Sequence, residues 1–271
     1  MNINLQHLYL IAPLHTGGTT QEGNLLGIAR ESHTNFPYIP SSTIRGKLRS
    51  SQSDDALREQ LFGNELKDGK PTNHGKPDDN DNAQLTQGDI WIGDGSILWL
   101  PIPSLSHGVV WVSCPLLLHR YARLAEKTFK IEEYLCKFKN DKTQIYLKDA
   151  IFKGSDLKEW PNWKEAVPGA ATQGIDHVLV LPDQHCGTII QMGLWRQVKI
   201  KLDSNKTVDG GFRYEEAIPP DTLMYFPWGL TSQAKNSEAS EKALQAMLSK
   251  DPILQIGGQE SLGRGFVQSF A

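Results

Sequence analysis

Hydrophobic and polar positions alternate through residues 3–13, INLQHLYLIAP, which are rich in β-formers and predict an opening strand. Residues 14–27, LHTGGTTQEGNLLG, carry glycines and threonines and read as a loop. Residues 63–88 hold almost no apolar side chain and predict a second, mobile loop. DIWIGDGSILWLPIP (89–103) predicts two strands around a Gly-Asp-Gly turn, and HGVVWVSCP (107–115) predicts another strand. PLLLHRYARLAEKTF (115–129) has helical apolar spacing, with Pro115 near its first turn. Residues 129–174, which include Trp160 and Trp163, read as irregular with short strands. HVLVLPD (177–183) is a strand. QVKIKLD (197–203) and FRYEEAI (212–218) alternate around a polar turn with Gly210 and Gly211, which predicts a long hairpin. TLMYFPWGL (222–230) is a strand and SEASEKALQAMLSKD (237–251) a serine-capped helix. A strand, a glycine-rich loop and a last strand close the chain over 253–271.

Short β-runs interspersed with a few helices point to the α+β class. Strand–helix–strand units on an antiparallel sheet predict a ferredoxin-like, RRM-like core with large insertions. Such sheets are common RNA platforms, but a fold does not fix a function.

Residues 33–50, HTNFPYIPSSTIRGKLRS, bring a turn, a helix cap and basic residues together. Pro37 and Pro40 keep the chain extended, since proline fixes φ and biases the preceding residue away from helix. Ser41, Ser42 and Thr43 offer hydroxyls that can cap a helix. Ile44 and Leu48 form one stripe of that helix, Arg45 and Arg49 a neighbouring one. A helix start with free N–H groups beside Arg45, Lys47 and Arg49 suits a phosphate. A solvated basic face explains the same pattern.

The 271 residues fit one large or two small domains, and a hydrophobic content of 39% supports a real core. No stretch approaches the roughly 20 apolar residues that span a bilayer. The first residues lack a basic n-region and a small-residue cleavage site, so a cytoplasmic protein is expected, with no membrane partner. Cys114, Cys136 and Cys186 are too few for a disulfide framework, and His185-Cys186 lacks the ligand spacing of a zinc site. A net charge of −3 excludes a globally basic nucleic-acid binder. The charge is unevenly spread. Residues 26–53 carry Arg30, Arg45, Lys47 and Arg49 against Glu31 alone, whereas residues 54–90 carry nine acids against four bases. That asymmetry points weakly to a polyanion partner.

GGQESLGRGFV (257–267) places glycines at 257, 258, 263 and 265. It is neither a P-loop nor a dinucleotide fingerprint. It is a tight packing turn, or a loop whose N–H groups face phosphates. On the hairpin, Lys199 and Lys201 share one face, and Val198, Ile200 and Leu202 share the other. Such a hairpin could straddle a nucleic-acid backbone or simply be amphipathic. The histidines are dispersed, and no Ser-His-Asp order or carboxylate pair stands out.

Taken in order, LHTGG, RESHTNFPYIPSSTIRGKLR, FG, IPPDTLMY and LQIGGQESLGRGFV resemble the RAMP superfamily. They look most like the backbone subunit of Cmr-type (type III-B) CRISPR effector complexes, and the resemblance runs from Leu14 to Val267. It implies a single domain over 1–271, with a flexible acidic insertion at 64–88 and the hairpin near 196–219 as a protruding thumb. It implies several copies stacked along a CRISPR RNA as a helical filament, beside other type III subunits. Each copy would hold the guide on an RRM-like palm, and its thumb would displace a guide–target pair. Sequence would be read by pairing with a complementary target RNA, as in RNA-guided effectors generally. The RNA-binding residues this implies are Arg30, His33, Ser42, Thr43, Arg45, Lys47, Arg49, Lys199, Lys201, Arg213, Gly257, Gly258 and Arg264.

One departure matters. Family members that cut target RNA carry an aspartate shortly before the RExHT signature. Here the segment is NLLGIARE (24–31), and the aligned position is Leu25, with Asn24 beside it. Leucine cannot bind Mg²⁺ or polarise a 2′-hydroxyl, and asparagine is a poor substitute for a carboxylate. His15, Glu22, Asn24 and Leu25 therefore mark a degenerate site. The expected protein binds guide and target but cuts slowly or not at all. It holds no tightly bound cofactor, and Mg²⁺ or Mn²⁺ matters only if cleavage is retained. Two alternatives stay open: a metal-dependent endoribonuclease using Glu22 or a neighbouring copy's acid, and a guide-processing RAMP endoribonuclease.

Overall fold

The computed structural model describes residues 3–18, 21–22, 25–67, 70–73, 76–77, 84–138, 144–148, 150–169 and 172–271. The chain starts with β1 (Asn4–Leu10), β2 (Gln21–Glu22), β3 (Leu25–Leu26) and β4 (Tyr38–Ile39). Helices α1 (Ser41–Ser51) and α2 (Asp55–Phe62) follow, then β5 (Leu66–Lys67), β6 (Lys70–Asn73) and β7 (Lys76–Pro77). The middle of the chain gives β8 (Ile90–Ile92), β9 (Gly95–Ser104), β10 (Gly108–Ser113) and α3 (Pro115–Leu124). Short strands β11 (Leu135–Cys136), β12 (Gln144–Leu147), β13 (Ala150–Lys153) and β14 (Lys158–Glu159) lead to β15 (Val178–Val180) and α4 (Asp183–Gly193). The hairpin β16 (Trp195–Leu202) and β17 (Val208–Ala217) precedes β18 (Leu223–Leu230), α5 (Ser237–Lys250), β19 (Ile253–Gln255) and β20 (Phe266–Phe270).

One large sheet runs β14-β11-β15-β10-β9-β18-β1-β20-β19. Its central pairs, β20–β1, β1–β18 and β18–β9, are all antiparallel. Both faces are buried, and alternation sorts the side chains between them. Met224, Phe226 and Trp228 of β18 point to one face with Leu8, Leu10, Ile44, Leu48, Leu61, Ile190 and Leu244, so α1, α2, α4 and α5 cover it. Leu223 and Tyr225 point to the other, with Trp99, Tyr121, Trp160, Trp163 and Val167. The irregular segment after α3 is thus the lid of a second core. Its backbone is fastened by the Trp99 indole, which donates to the Ala166 carbonyl at 2.7 Å.

The fold departs from the sequence pattern at several points. The Gly-Asp-Gly stretch does not reverse the chain. β8 and β9 run one after the other along the same edge of β18, and Gly93 N–H donates to the Pro227 carbonyl at 2.8 Å. Residues 93–94 are a jog in one long strand. Second, no hydroxyl of Ser41, Ser42 or Thr43 caps α1; Pro40 is its N-cap. Asp94, freed by the jog, accepts the Ser41 N–H at 2.6 Å, so the protein's own carboxylate sits where a phosphate was expected. The serine cap of α5 fails likewise: Asn236 is its N-cap, and the buried Asp89 carboxylate accepts from Ser240 Oγ at 2.7 Å. Third, α4 is a helix the pattern leaves unassigned. Its core residues Cys186, Ile189 and Ile190 have helical spacing, but Gly187, Thr188 and the two isoleucines are weak helix formers, so burial decides. Fourth, the first loop contains β3, which pairs in parallel with Tyr214 and Glu215 of β17. The described residues of the acidic insertion at 64–88 include the small β5-β6-β7 sheet. Asn64 ties the start of the insertion to β6 and to its last residues, donating to the Thr72 and Gln84 carbonyls and accepting the Thr86 N–H at 2.7 Å.

His7 on β1 gives the fold a testable acid sensitivity. Its ring stacks on Phe270 at 5.3 Å and lies 3.3 Å from the Tyr121 hydroxyl through Nε2. Burial, reinforced by Lys127, pushes its pKa from the ordinary 6.5 down to about 4, opposed by the Phe270 backbone carbonyl, which would accept from the protonated ring. The unfolded chain takes up this proton first as pH falls, so stability is full above pH 6.5 and lost towards pH 4. Between those limits the wild type should lose about 3 kcal/mol more than His7→Phe. Urea unfolding of both proteins across that range checks it; equal losses would remove His7 from the account.

Candidate nucleic-acid interface

Three stretches far apart in sequence meet at the root of the β16–β17 hairpin. Leu14 forms an antiparallel bridge with Ile218, and the Gly258 N–H donates to the His15 carbonyl at 3.0 Å. Gly257 has φ +82°, and a Cβ there would lie 2.4 Å from that carbonyl, so only glycine fits. The buried His15 ring has Nδ1 2.9 Å from the Glu216 carbonyl. A carbonyl only accepts, so His15 donates from Nδ1, and its Nε2 makes no hydrogen bond among the described residues.

Charge at the root is internally matched. Glu216, 1% exposed, accepts from Arg30 and, at 3.2 Å, from Arg196 Nε. Arg30 also donates to Gln191 of α4. Lys199 pairs with Glu215 at 2.6 Å. Arg264 is buried over Trp195, 4.0 Å from the ring centre, and donates to Gln197 Oε1 at 2.6 Å. Burial lowers the Arg264 pKa, with Glu215 opposing.

Beyond the root the hairpin is two-faced. Val198 faces Tyr214, Ile200 faces Phe212 and Leu202 faces Val208, and all six side chains are 40–57% exposed. On the opposite face Lys199 lies across from Arg213, and Lys201 pairs with Asp209 at 2.7 Å. These residues line a groove of about 600 Å³ along the hairpin. Arg213 makes no ion pair among the described residues.

The RExHT segment is a closed loop. Asn35, in the left-handed region at φ +59°, donates its N–H to the Glu31 carbonyl at 2.8 Å. The Glu31 carboxylate accepts from Arg120 at 2.5 and 3.2 Å and from Thr34 Oγ1 at 2.5 Å. Burial works to raise the Glu31 pKa, and these hydrogen bonds outweigh it, holding the carboxyl below its ordinary value. His33 projects from the loop, exposed, 3.8 Å from Glu31.

The basic residues of α1 are placed differently. Arg45 donates to the Phe62 carbonyl and Arg49 to the Gly63 carbonyl at 2.5 Å, with Glu65 3.4 Å away. These carbonyls end α2, where cations are favoured. Burial, then the neighbouring Arg49, lowers the Arg45 pKa. Ser42 is exposed and Thr43 half-buried, and Lys47 makes no ion pair among the described residues. The root therefore gathers His15, Leu25, Arg30, Lys199, Gly257, Gly258 and Arg264, while Ser42, Thr43, Arg45, Lys47 and Arg49 sit on α1. Asn24 lies outside the described residues. Glu22 is described only as a backbone partner of Leu25. Sequence reasoning missed Glu216, Trp195, Gln191 and Arg120. The consecutive acids of FRYEEAI, entering an apolar run, are the one signal that pointed towards buried partners for the arginines.

The family model for the RAMP superfamily matches residues 7–268. The chain belongs to the RAMP superfamily. It is 28% identical over 304 residues to the CRISPR system Cmr endoribonuclease Cmr4 of Pyrococcus furiosus, covering 99% of this chain and 95% of that protein. Oligomeric Cmr4 from the same organism, a crystal structure, is similar at 25% identity with a TM-score of 0.68, covering 99% and 98% of the two chains. A chain of a type III-B Cmr-beta assembly bound to cognate target RNA shares the fold, with a TM-score of 0.73 at 19% identity and 99% and 96% coverage. For a RAMP protein of this kind, the described side chains do not make a Mg²⁺ or Mn²⁺ site. Glu216 and Glu215 are taken by Arg30, Arg196 and Lys199, Leu25 offers no ligand, and no cluster of three ligating side chains occurs among the described residues.

Proposed function

We propose that this chain is a CRISPR RNA-binding backbone subunit of a type III-B effector complex. Several copies stack along the guide beside other type III subunits, hold the guide–target RNA duplex, and cut the target weakly or not at all. The observation that carries this reading is the hairpin, basic on one face and apolar on the other, rooted beside His15 and the glycine-rich loop. The antiparallel order β20-β1-β18-β9, with α1 after β1 and α5 after β18, supports a ferredoxin-like palm beneath it. Arg213, which has no ion pair among the described residues, and Lys199 across from it offer RNA local cationic groups that a whole-chain total of −3 conceals. Among the described residues no helix is long and apolar enough to cross a membrane, and we place the complex in the cytoplasm.

Titrating guide RNA at several salt concentrations tests the reading. Each of Lys199→Ala and Arg213→Ala should weaken binding and reduce the salt slope by about 1. Unchanged affinity and slope in both would remove the hairpin from the interface. Active metal-dependent cleavage is the second reading. His15 favours it, because the Glu216 carbonyl holds Nδ1 and leaves the other edge of the ring beside the glycine-rich loop.

A further inference from the structure

We propose that Arg264 is a positioning residue that fixes the pitch of the β16–β17 hairpin, and that it does not contact RNA. Its functional consequence rests on the guide-binding reading above; its structural consequence does not. Every residue from Ile200 to Tyr214 is exposed, so the hairpin's direction is set at its root. A two-stranded ribbon has little rigidity of its own. Eight residues at about 3.3 Å each make a lever of about 26 Å, so a root swing of about 10° carries the tip by about 5 Å.

Arg264 is built to prevent that swing. Gly263 and Gly265, at φ +73° and +75°, turn the loop so that the side chain between them points inward, where it is 5% exposed. Its guanidinium carbon sits over Trp195, the first residue of β16, 4.0 Å from the ring centre, and it holds Gln197 two residues further along the same face. The loop carrying it is itself tied down. Gln255 Nε2 donates to the Gly257 and Arg264 carbonyls at 3.1 and 3.2 Å, and the Gly265 N–H donates to the Pro13 carbonyl at 2.9 Å. Arg30 and Arg196 on Glu216 hold the other strand. A guanidinium so placed stacks and donates at once, which an ammonium cannot do.

Pulsed spin-resonance distances test this directly. Labels at Asn205→Cys on the hairpin tip and Gln245→Cys on α5 attach selectively, because Cys114, Cys136 and Cys186 are buried. The otherwise unaltered protein should give a narrow distance distribution. Arg264→Met and Arg264→Lys should at least double its width. Gln197→Leu, which keeps the stack, should broaden it less; should the Arg264 variants fail to fold, this variant decides. An unchanged width in the folded variants overturns the proposal. In the RNA titration Arg264→Met should lose about tenfold in affinity with the salt slope unchanged, because no phosphate contact is lost. A slope lowered by about 1 would make Arg264 a phosphate contact and also overturn it. Absence of guide binding by the wild type would sink the guide-binding reading alone, and the distance measurement would still decide the role of Arg264.

Discussion

Gly265→Ala should destabilise the protein by about 3 kcal/mol or more and abolish tight guide binding. Two effects combine. Position 265 has φ +75°, a conformation that costs alanine of the order of 1 kcal/mol. The larger effect is steric: a Cβ there would lie 1.9 Å from the Ile256 carbonyl oxygen. That oxygen is backbone, and it cannot step aside cheaply. The Ile256 N–H donates to the Gly265 carbonyl at 2.8 Å and the Gly265 N–H to Pro13 at 2.9 Å, so both strands of the contact are fixed. Any relief must move the loop that carries Arg264 on one side and packs Gly257 and Gly258 on His15 on the other. At this chain length a loss of about 3 kcal/mol corresponds to a melting point lowered by roughly 5 °C. Gly263→Ala is the control. Its φ is +73°, but a Cβ there meets nothing within 4 Å, so only the conformational cost remains. Thermal unfolding of the two variants separates clash from strain. Equal shifts would show that the 265 contact relaxes freely.

The contrast between those glycines also shows what a sequence can carry. GGQESLGRGFV announces a tight loop, but four glycines look alike until the backbone around them is known. The same limit governs the charges. Arg30, Arg45, Arg49 and Arg264 were all legible as basic residues in a resemblance to RNA-binding proteins. Their partners, Glu216, the Phe62 and Gly63 carbonyls and Trp195, come from other elements and leave no local trace. Lys199 and Arg213 were legible as one face of a hairpin because period-2 alternation is a local property, and the faces fall as it requires. Strands β1, β10, β15 and β18 and helices α3 and α5 were legible for the same reason. Helix α4 was not, because its residues have weak intrinsic helix preference and only the packing of Cys186, Ile189 and Ile190 selects that conformation. The jog at Gly93 was misread as a turn because glycine beside aspartate serves either purpose. Which one it serves depends on whether β18 continues past it, and β18 lies more than a hundred residues away.

Leu25→Asp should convert guide-loaded complexes from leaving target RNA intact to cutting it in a divalent-metal-dependent way. The substitution is structurally mild. Leu25 is half-buried in a two-residue strand and is held by backbone pairing with Tyr214 and Glu22, which any side chain permits. It places a carboxylate at the position that the sequence resemblance aligns with the aspartate of cutting family members, next to the hairpin root, where His15 is held through Nδ1 by the Glu216 carbonyl. Positioned proton transfer of this kind contributes about 10²- to 10⁴-fold, so even partial recovery is far above background. Labelled complementary RNA, incubated with Mg²⁺ or Mn²⁺ and in parallel with EDTA, reads the outcome. Fragments at a regular spacing in Leu25→Asp but not in the wild type would mean that the loss of one carboxylate silenced the site and left the rest of its geometry intact. Cutting by the wild type, unchanged by Leu25→Asp, would mean that another acid does the work, and Glu22→Gln would then be expected to stop it. No cutting by either would mean that more than the aspartate has been lost. In that case the hairpin root, whose carboxylates are committed to Arg30, Arg196 and Lys199, serves to hold RNA and the destruction of target falls to another subunit.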